Sequence, residues 1–230
     1  MSNLEVLYED NHLLIVDKPA GIPTMGAGPG EASMVTIAAN WIRDRYQKPG
    51  RVFVGVVSRL DSMVSGALVF ARTSKAANRL TRQFQERTPE KVYLACVEGR
   101  LSSGQTGKMD DYLAKDEAQH RMTIVEQATA NSQFAQLEFR VLRATGRLAL
   151  VEVRLLTGRK HQIRVQLAHR GFPVVGDRKY GAKIVFSNGI ALHCHRLTIE
   201  HPTLKVPITV ESELPESWKS LPMALEFDRN

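Results

Sequence analysis

Asp61 stands in the run Ser58-Arg59-Leu60-Asp61-Ser62-Met63-Val64-Ser65-Gly66, between two apolar stretches, Val52 to Val57 and Ala67 to Ala71. The stretches read as strands and the run between them as their connection. Gly66 and the small serines suit a tight turn. A carboxylate held at the mouth of two buried strands can serve as a nucleophile or as a general base toward a molecule that enters. Far downstream lies a basic block, Thr157-Gly158-Arg159-Lys160-His161-Gln162-Ile163-Arg164. One acid and one polycationic block together point to carboxylate chemistry on a polyanion. Taken alone, Asp61 also reads as a turn-forming or helix-capping aspartate.

The elements that must position these groups belong to a chain of 230 residues, enough for one large domain or two small ones. Hydrophobic residues make up 43%, which supports a core, and 24% charged residues argue against wholesale disorder. Thirty-one Lys and Arg against 24 Asp and Glu give a net charge of +7. The excess is local: from Arg154 to Lys183 there are eight basic residues and a single acid, Asp177, whereas from Arg196 onward acids outnumber bases six to four. Such a stripe is the footprint of nucleic-acid binding, with a merely solvated basic surface as the alternative. The two cysteines, Cys96 and Cys194, sit in apolar runs and read as buried free thiols of a reducing compartment. The N-terminus lacks the pattern of a signal peptide. No apolar run approaches the roughly 20 residues that span a bilayer. A soluble, cytoplasmic protein is expected.

Leu13 to Asp17 reads as a strand, stopped by Lys18-Pro19-Ala20-Gly21. Gly26 to Gly30 reads as a flexible linker, since no P-loop lysine accompanies it. Ser33 caps a helix with apolar positions 34, 37, 38, 41 and 42, and Thr73 or Ser74 caps a second with Ala76, Ala77, Leu80 and Phe84 on one side. The charges on that second helix (Lys75, Arg79, Arg82, Arg87) read as a solvated face. Val92 to Val97 is a strand, and residues 102–120 are polar without a usable period, which predicts a loop or excursion. Leu137 to Leu142 and Leu148 to Leu155 form a hairpin about Thr145-Gly146. His161 to His169 forms a short helix closed by Gly171 and Pro173. Ile190 to His195 and Val206 to Val210 complete the strands. The mixture, strand-rich without regular βαβ alternation, predicts an α+β fold with a largely antiparallel sheet. His161, His169, His193, Cys194 and His195 raise the question of a metal, and His193 and His195 share a strand face. No other ligand spacing recurs, so core or RNA-facing roles are expected and no metal.

The segments Asn11 to Gly21, Arg59-Leu60-Asp61 with Ser65-Gly66, Lys91-Val92-Tyr93-Leu94-Ala95, Gly158 to Arg164, Gly176-Asp177 with Tyr180-Gly181, Leu192-His193 and His201-Pro202 occur in the order seen in the RluA-type family of RNA pseudouridine synthases. The chain resembles that family from about residue 5 to residue 218. The resemblance implies a central, mostly antiparallel mixed sheet with flanking helices and an RNA-binding catalytic cleft, the pseudouridine synthase fold. It implies one catalytic domain over residues 1–230, without an additional N-terminal RNA-binding domain. By motif match the family's catalytic aspartate falls on Asp61, its active-site tyrosine on Tyr93 and the arginine that pairs with the aspartate on Arg164. Arg59 falls where a side chain fills the gap left by the displaced base; Lys91, Arg159, Lys160, His161 and Gln162 fall among RNA contacts. The sequence departs from the family at Ser58, where histidine is usual, at Ser62 to Val64, and at Lys160, where threonine or serine is common.

Uridine and pseudouridine are isomers, so the reaction implies no redox cofactor, metal or nucleotide. Asp61 must act as an anion, a state that a nearby guanidinium favours. Tyr93 offers a face for an extruded uracil, and its hydroxyl a route for the proton leaving carbon; on its own it also reads as a core aromatic of a strand. The expected partner is structured RNA, a stem-loop of rRNA or tRNA, with no membrane, no obligate protein partner and a monomeric state. Two other readings stay open at this point. One is an RNA-binding or assembly factor of this fold without turnover, toward which Ser58 points; the other is a metal-dependent hydrolase of nucleic acid.

Overall fold

The apolar and alternating runs become strands, and the 3.6-residue periods become helices, in the computed structural model, which describes residues 4–28 and 30–221. Pro29, in the expected glycine-rich linker, lies outside the described residues. The first half of the chain forms β1 (Val6–Glu9), β2 (Leu13–Lys18), α1 (Met34–Arg45), β3 (Gly55–Val56), β4 (Ser65–Ala71) and α2 (Ser74–Glu86). Next come β5 (Glu90–Glu98), β6 (Thr106–Asp116), β7 (Arg121–Val125), β8 (Gln133–Thr145), β9 (Leu148–Leu155) and α3 (Gln162–His169). β10 (Leu192–Glu200) and β11 (Pro207–Glu211) are the last strands, and short 3-10 turns occupy Arg178–Tyr180 and Glu216–Ser220. The class is α+β with largely antiparallel strands, as expected. The chain divides into two compact units, Met1–Glu90 with Cys194–Glu213 and Lys91–His193 with Leu214–Asn230.

In the first unit β2 lies between β1 and β4, antiparallel to both, with Val6 opposite Val16 and Lys18 opposite Gly66. β3 pairs with the end of β4, β10 follows β4 in strand order, and β11 runs antiparallel to β10. All of β4 is buried, so the run Ala67 to Ala71, expected to alternate, has no solvent-facing side. Ser33 and Thr73 cap α1 and α2 by accepting hydrogen bonds from the amides of Thr36 and Ala76. α1 buries Met34, Ala38 and Ile42, and α2 buries Ala76, Leu80 and Gln83. Phe84, expected on the apolar side of α2, is only half-buried. Gln83 takes the buried place because its amide is satisfied at both ends, donating to the Glu200 carbonyl (2.8 Å) and accepting from the Glu200 amide (3.2 Å). The strand expected over Val52 to Val57 shortens to Gly55–Val56, which face Ala71 and Phe70.

The second unit is an antiparallel array in the order β5-β9-β8-β6-β7. Its β8–β9 hairpin turns at Gly146, as the sequence predicts, with a bulge between Val141 and Arg143. α3 packs through Val165 and Ala168 on Leu113, Ala135, Met122, Ile124 and Tyr180. The loop predicted over residues 102–120 is instead largely strand: β6 runs for 11 residues between β8 and β7. Its inward positions are Met109, Asp111 and Leu113, and the middle one is a carboxylate that meets Arg170 (3.0 and 3.1 Å) and Gln166 (2.6 Å) of α3 and its end. A buried charge satisfied from another element breaks the alternation on which a strand assignment relies. β1 and β7 are further strands beyond those the sequence predicts. Both cysteines are buried and outside any disulfide, and burial pushes the Cys96 thiol up to about 12, with the Glu98 charge acting in the same direction.

Gly66 has φ +112°, and a Cβ there would lie 2.4 Å from the Cys194 carbonyl oxygen, so only glycine lets β4 and β10 approach this closely. Gly66→Ala is expected to cost at least about 3 kcal/mol, lowering Tm by roughly 6–12 °C or preventing folding. Gly146→Ala, at φ +56° with open space around the new methyl, is expected to cost only about 1–2 kcal/mol. Thermal melts of the two variants, compared with wild type, check the contrast.

Candidate active site

The Asp61 turn is built into the first unit by backbone contacts on both sides of the acid. The Leu60 amide donates to Thr24 Oγ1 (3.1 Å), and Thr24 Oγ1 donates to the Leu60 carbonyl (2.8 Å). The Ser62 carbonyl accepts from the Gly21 amide (2.7 Å) and from Lys18 Nζ (3.1 Å). The Val64 amide closes the turn on the Asp61 carbonyl (3.1 Å). Asp61 itself is half-buried, and Arg59, two residues before it, is exposed.

Lys18 is fully buried at the end of β2, and its second hydrogen bond goes to the Pro19 carbonyl (2.8 Å). Burial pushes its ammonium down to about 8, against the pull of the Asp61 and Asp17 carboxylates. Burial raises the neighbouring Asp17 carboxyl to about 6, helped by the Glu5 charge and opposed by the Ser212 hydroxyl, the Gly66 amide and Lys18. A cation beside Asp61 thus exists within this unit, supplied by a residue outside the expected site.

In the second unit Tyr93 lies in β5 opposite Val153, with 7% of its surface exposed. Arg164, in α3, is buried and forms a bidentate ion pair with Asp177, Nε to Oδ2 at 2.6 Å and Nη2 to Oδ1 at 2.9 Å. Its guanidinium also lies 5.1 Å from the centre of the Tyr180 ring. The Tyr180 hydroxyl accepts from the Met122 amide (3.1 Å) and meets His161 Nδ1 at 2.8 Å. His161 sits in the left-handed region, φ +54°, as it begins α3. A non-glycine residue there costs on the order of 1–3 kcal/mol and persists when its surroundings fix it. The Tyr180 bond supplies such a fixation.

The basic block is less uniform than its sequence. Lys160 is exposed, and Arg159 is tethered through Nε to the Phe134 carbonyl (3.0 Å). Lys91 brings Nζ beside Gly158, 3.3 Å from where a Cβ would stand. Gln162 departs from its expected role. It is buried; Oε1 accepts from Thr157 Oγ1 (2.8 Å) and the Arg159 amide (3.0 Å), and Nε2 donates to the Gln136 carbonyl (3.0 Å). It holds the loop from within instead of presenting an amide to solvent. His193 is buried against Trp218, and His195 Nδ1 lies 2.9 Å from the Ser212 carbonyl. Asp177 and Tyr180, like Lys18, lie outside the expected set of site residues. Asp177 did carry a signal: a lone acid among eight bases is a pairing candidate.

The sequence model of the RNA pseudouridylate synthase family matches residues 12–169. The chain is 38% identical over 221 residues to the uncharacterised RNA pseudouridine synthase YhcT of Bacillus subtilis, covering 95% of this chain and 71% of that protein. It is 34% identical over 241 residues to the ribosomal large subunit pseudouridine synthase D of Pseudomonas aeruginosa, covering 98% and 73%. Among solved structures, human RNA pseudouridylate synthase domain containing 1 superposes with a TM-score of 0.73 at 27% identity, covering 93% of this chain and 84% of that one. Human RNA pseudouridylate synthase domain containing 4 shares the fold, with a TM-score of 0.77 at 23% identity over 94% and 92% of the two chains.

The buried ammonium has a pH signature. An unfolded lysine keeps its proton to about 10.5 and the folded Lys18 only to about 8. Within that window the unfolded chain binds more protons, so this group makes folding more favourable as pH rises from 8 to 10.5. Urea unfolding of wild type and Lys18→Met across the window is expected to show the difference in unfolding free energy shifting in favour of wild type with rising pH. A flat difference would contradict the burial of a charged Lys18.

Proposed function

This chain belongs to the RNA pseudouridylate synthase family, isomerases that convert uridine in RNA to pseudouridine, and on that premise we propose that Asp61 is its catalytic carboxylate. The observation that carries the assignment is the Asp61 turn, fixed on both flanks by Thr24, Gly21 and Lys18 within the segment that the family matches. A reacting oxygen must be held in place before substrate arrives, and a pinned backbone does this without loss of entropy during the reaction.

In the reaction the bond from the sugar to a ring nitrogen breaks and one from the sugar to a ring carbon forms. That carbon loses a proton and the nitrogen gains one, so atoms and electrons balance without a cofactor. Asp61 acts either on the sugar carbon as nucleophile or on a sugar proton as base. Arg164 is the guanidinium assigned to keep Asp61 ionised, and its bond to Asp177 fixes the plane of that group. Tyr93 stacks on the extruded uracil, and its hydroxyl takes part in removing the carbon-bound proton. Arg59 fills the place the base leaves, and Lys91, Arg159, Lys160 and His161 meet RNA phosphates or loop nucleotides.

The RNA is structured, and a ribosomal RNA of the large subunit is the class favoured by the name of the Pseudomonas relative; a tRNA stem-loop is the second candidate. Both units serve one catalytic domain in this reading, which acts as a cytoplasmic monomer without an obligate protein partner. No helix among the described residues is long and apolar enough to cross a membrane.

RNA carrying tritium at carbon 5 of uracil tests the chemistry. Wild type is expected to release tritium, and Asp61→Asn to lose at least about 10²–10⁴-fold in rate. Retained turnover in Asp61→Asn would remove the acid from the mechanism, and a wild type that binds RNA without release would mark a factor that lacks turnover. Arg164→Met should lower kcat with little change in RNA affinity, and Tyr93→Phe should slow release of the carbon-bound proton; undiminished rates would dismiss those roles. Pseudouridine mapping in cells with and without the gene names the target uridine.

A further inference from the structure

The C-terminal end of α1 carries aromatic and cationic groups for which the reaction has no use. Tyr46, the residue that ends the helix, keeps 41% of its surface exposed. Arg72, just beyond β4, lies over its ring with Cζ 4.5 Å from the centre. Arg72 Nη1 donates to the Tyr46 hydroxyl (3.2 Å) and to the Asp10 carbonyl, so the guanidinium is anchored and in turn holds the ring. Lys48 Nζ stands 6.0 Å from the same ring centre. The chain reverses here through Gln47 (φ +48°) and Gly50 (φ +80°), and Lys48 and Arg51 are both exposed in this segment.

Part of the local charge has an ordinary explanation. Arg43 meets Asp44 (3.3 Å), Arg45 meets Glu9 (2.8 Å), and both suit the negative end of a helix. Tyr46, Arg72, Lys48 and Arg51 are not explained in this way. A solvent-facing ring backed by a fixed guanidinium, with cations beside it, is the composition of a stacking platform for an unpaired base. An acidic protein segment would satisfy the charge but would make no use of the planar face.

We infer that this surface binds RNA: an unpaired nucleotide flanking the modified region stacks its base on Tyr46, and its phosphates lie against Lys48 and Arg51. This rests on the reading of RNA as the substrate and adds a contact apart from the residues that handle the target uridine. Fluorescence anisotropy with a short labelled single-stranded oligouridine tests it. Tyr46→Ala is expected to weaken binding roughly tenfold or more, while Tyr46→Phe retains it. Lys48→Ala and Arg51→Ala, both on exposed side chains, are expected to reduce the slope of log affinity against log salt by about 0.7 each. On a minimal stem-loop these variants keep the wild-type kcat for tritium release, and on a longer RNA they raise KM. Wild-type affinity and salt slope in all of them would overturn the inference, as would displacement of the oligouridine from this surface by an acidic peptide at equal charge. A wild type that releases no tritium would refute the synthase reading instead, and the anisotropy series would still decide the surface.

Discussion

An ammonium group without access to water has to be satisfied by its surroundings, in both hydrogen bonds and charge. Lys18 meets that demand with two backbone carbonyls, one on its own strand exit at Pro19 and one on the Asp61 turn at Ser62. The attraction of Asp17 and Asp61 offsets part of the cost of burying it. Segments far apart in sequence are thereby fastened at one atom. The Gly21 amide and the Thr24 hydroxyl reinforce the same attachment on either side of the acid. The turn that carries the proposed reacting group therefore derives its rigidity from the interior of the first unit rather than from its own short sequence.

The second unit solves a similar problem with α3. Arg164 is fixed by Asp177 on one edge and by the Tyr180 ring on its face, while Tyr180 is itself held by Met122 and His161. At the other end of the helix Gln166 and Arg170 bind Asp111 of β6. Arg164 inside α3 and Arg170 just past its end each meet a carboxylate from outside the helix. Removing one partner of the buried Arg164–Asp177 pair is more damaging than the pair is stabilising, because the remaining charge has no water to turn to.

Periodicity made much of this legible. The capped helices, the β8–β9 hairpin and the continuous β4 follow from apolar spacing, and Asp61 is visible as an acid between two strands. The ordered segments around Asp61, Tyr93 and Arg164 carried the family. Apart from the short strands β1 and β7, the differences share one cause. Asp111 of β6, Lys18, Asp177 and Gln162 are polar groups turned inward and satisfied by other side chains or backbone groups, and a pattern that equates polar with exposed must misplace them. Gln83 on α2 repeats the lesson at smaller scale. Their signals lay in context: a single acid in a basic block, or a lysine at the very end of an apolar strand.

The first unit is discontinuous, made from residues before Lys91 and a return segment that begins at Cys194. During synthesis the ribosome must deliver nearly the entire polypeptide before β10 can reach its neighbour, β4. Until then the largely apolar β4 waits on a nascent chain with an open edge, the kind of surface that invites wrong pairing and chaperone attention. Translation arrest or premature termination anywhere between α2 and β10 would leave this hazard in place, so the order in which the ribosome makes the chain bears on its yield as much as the final fold does.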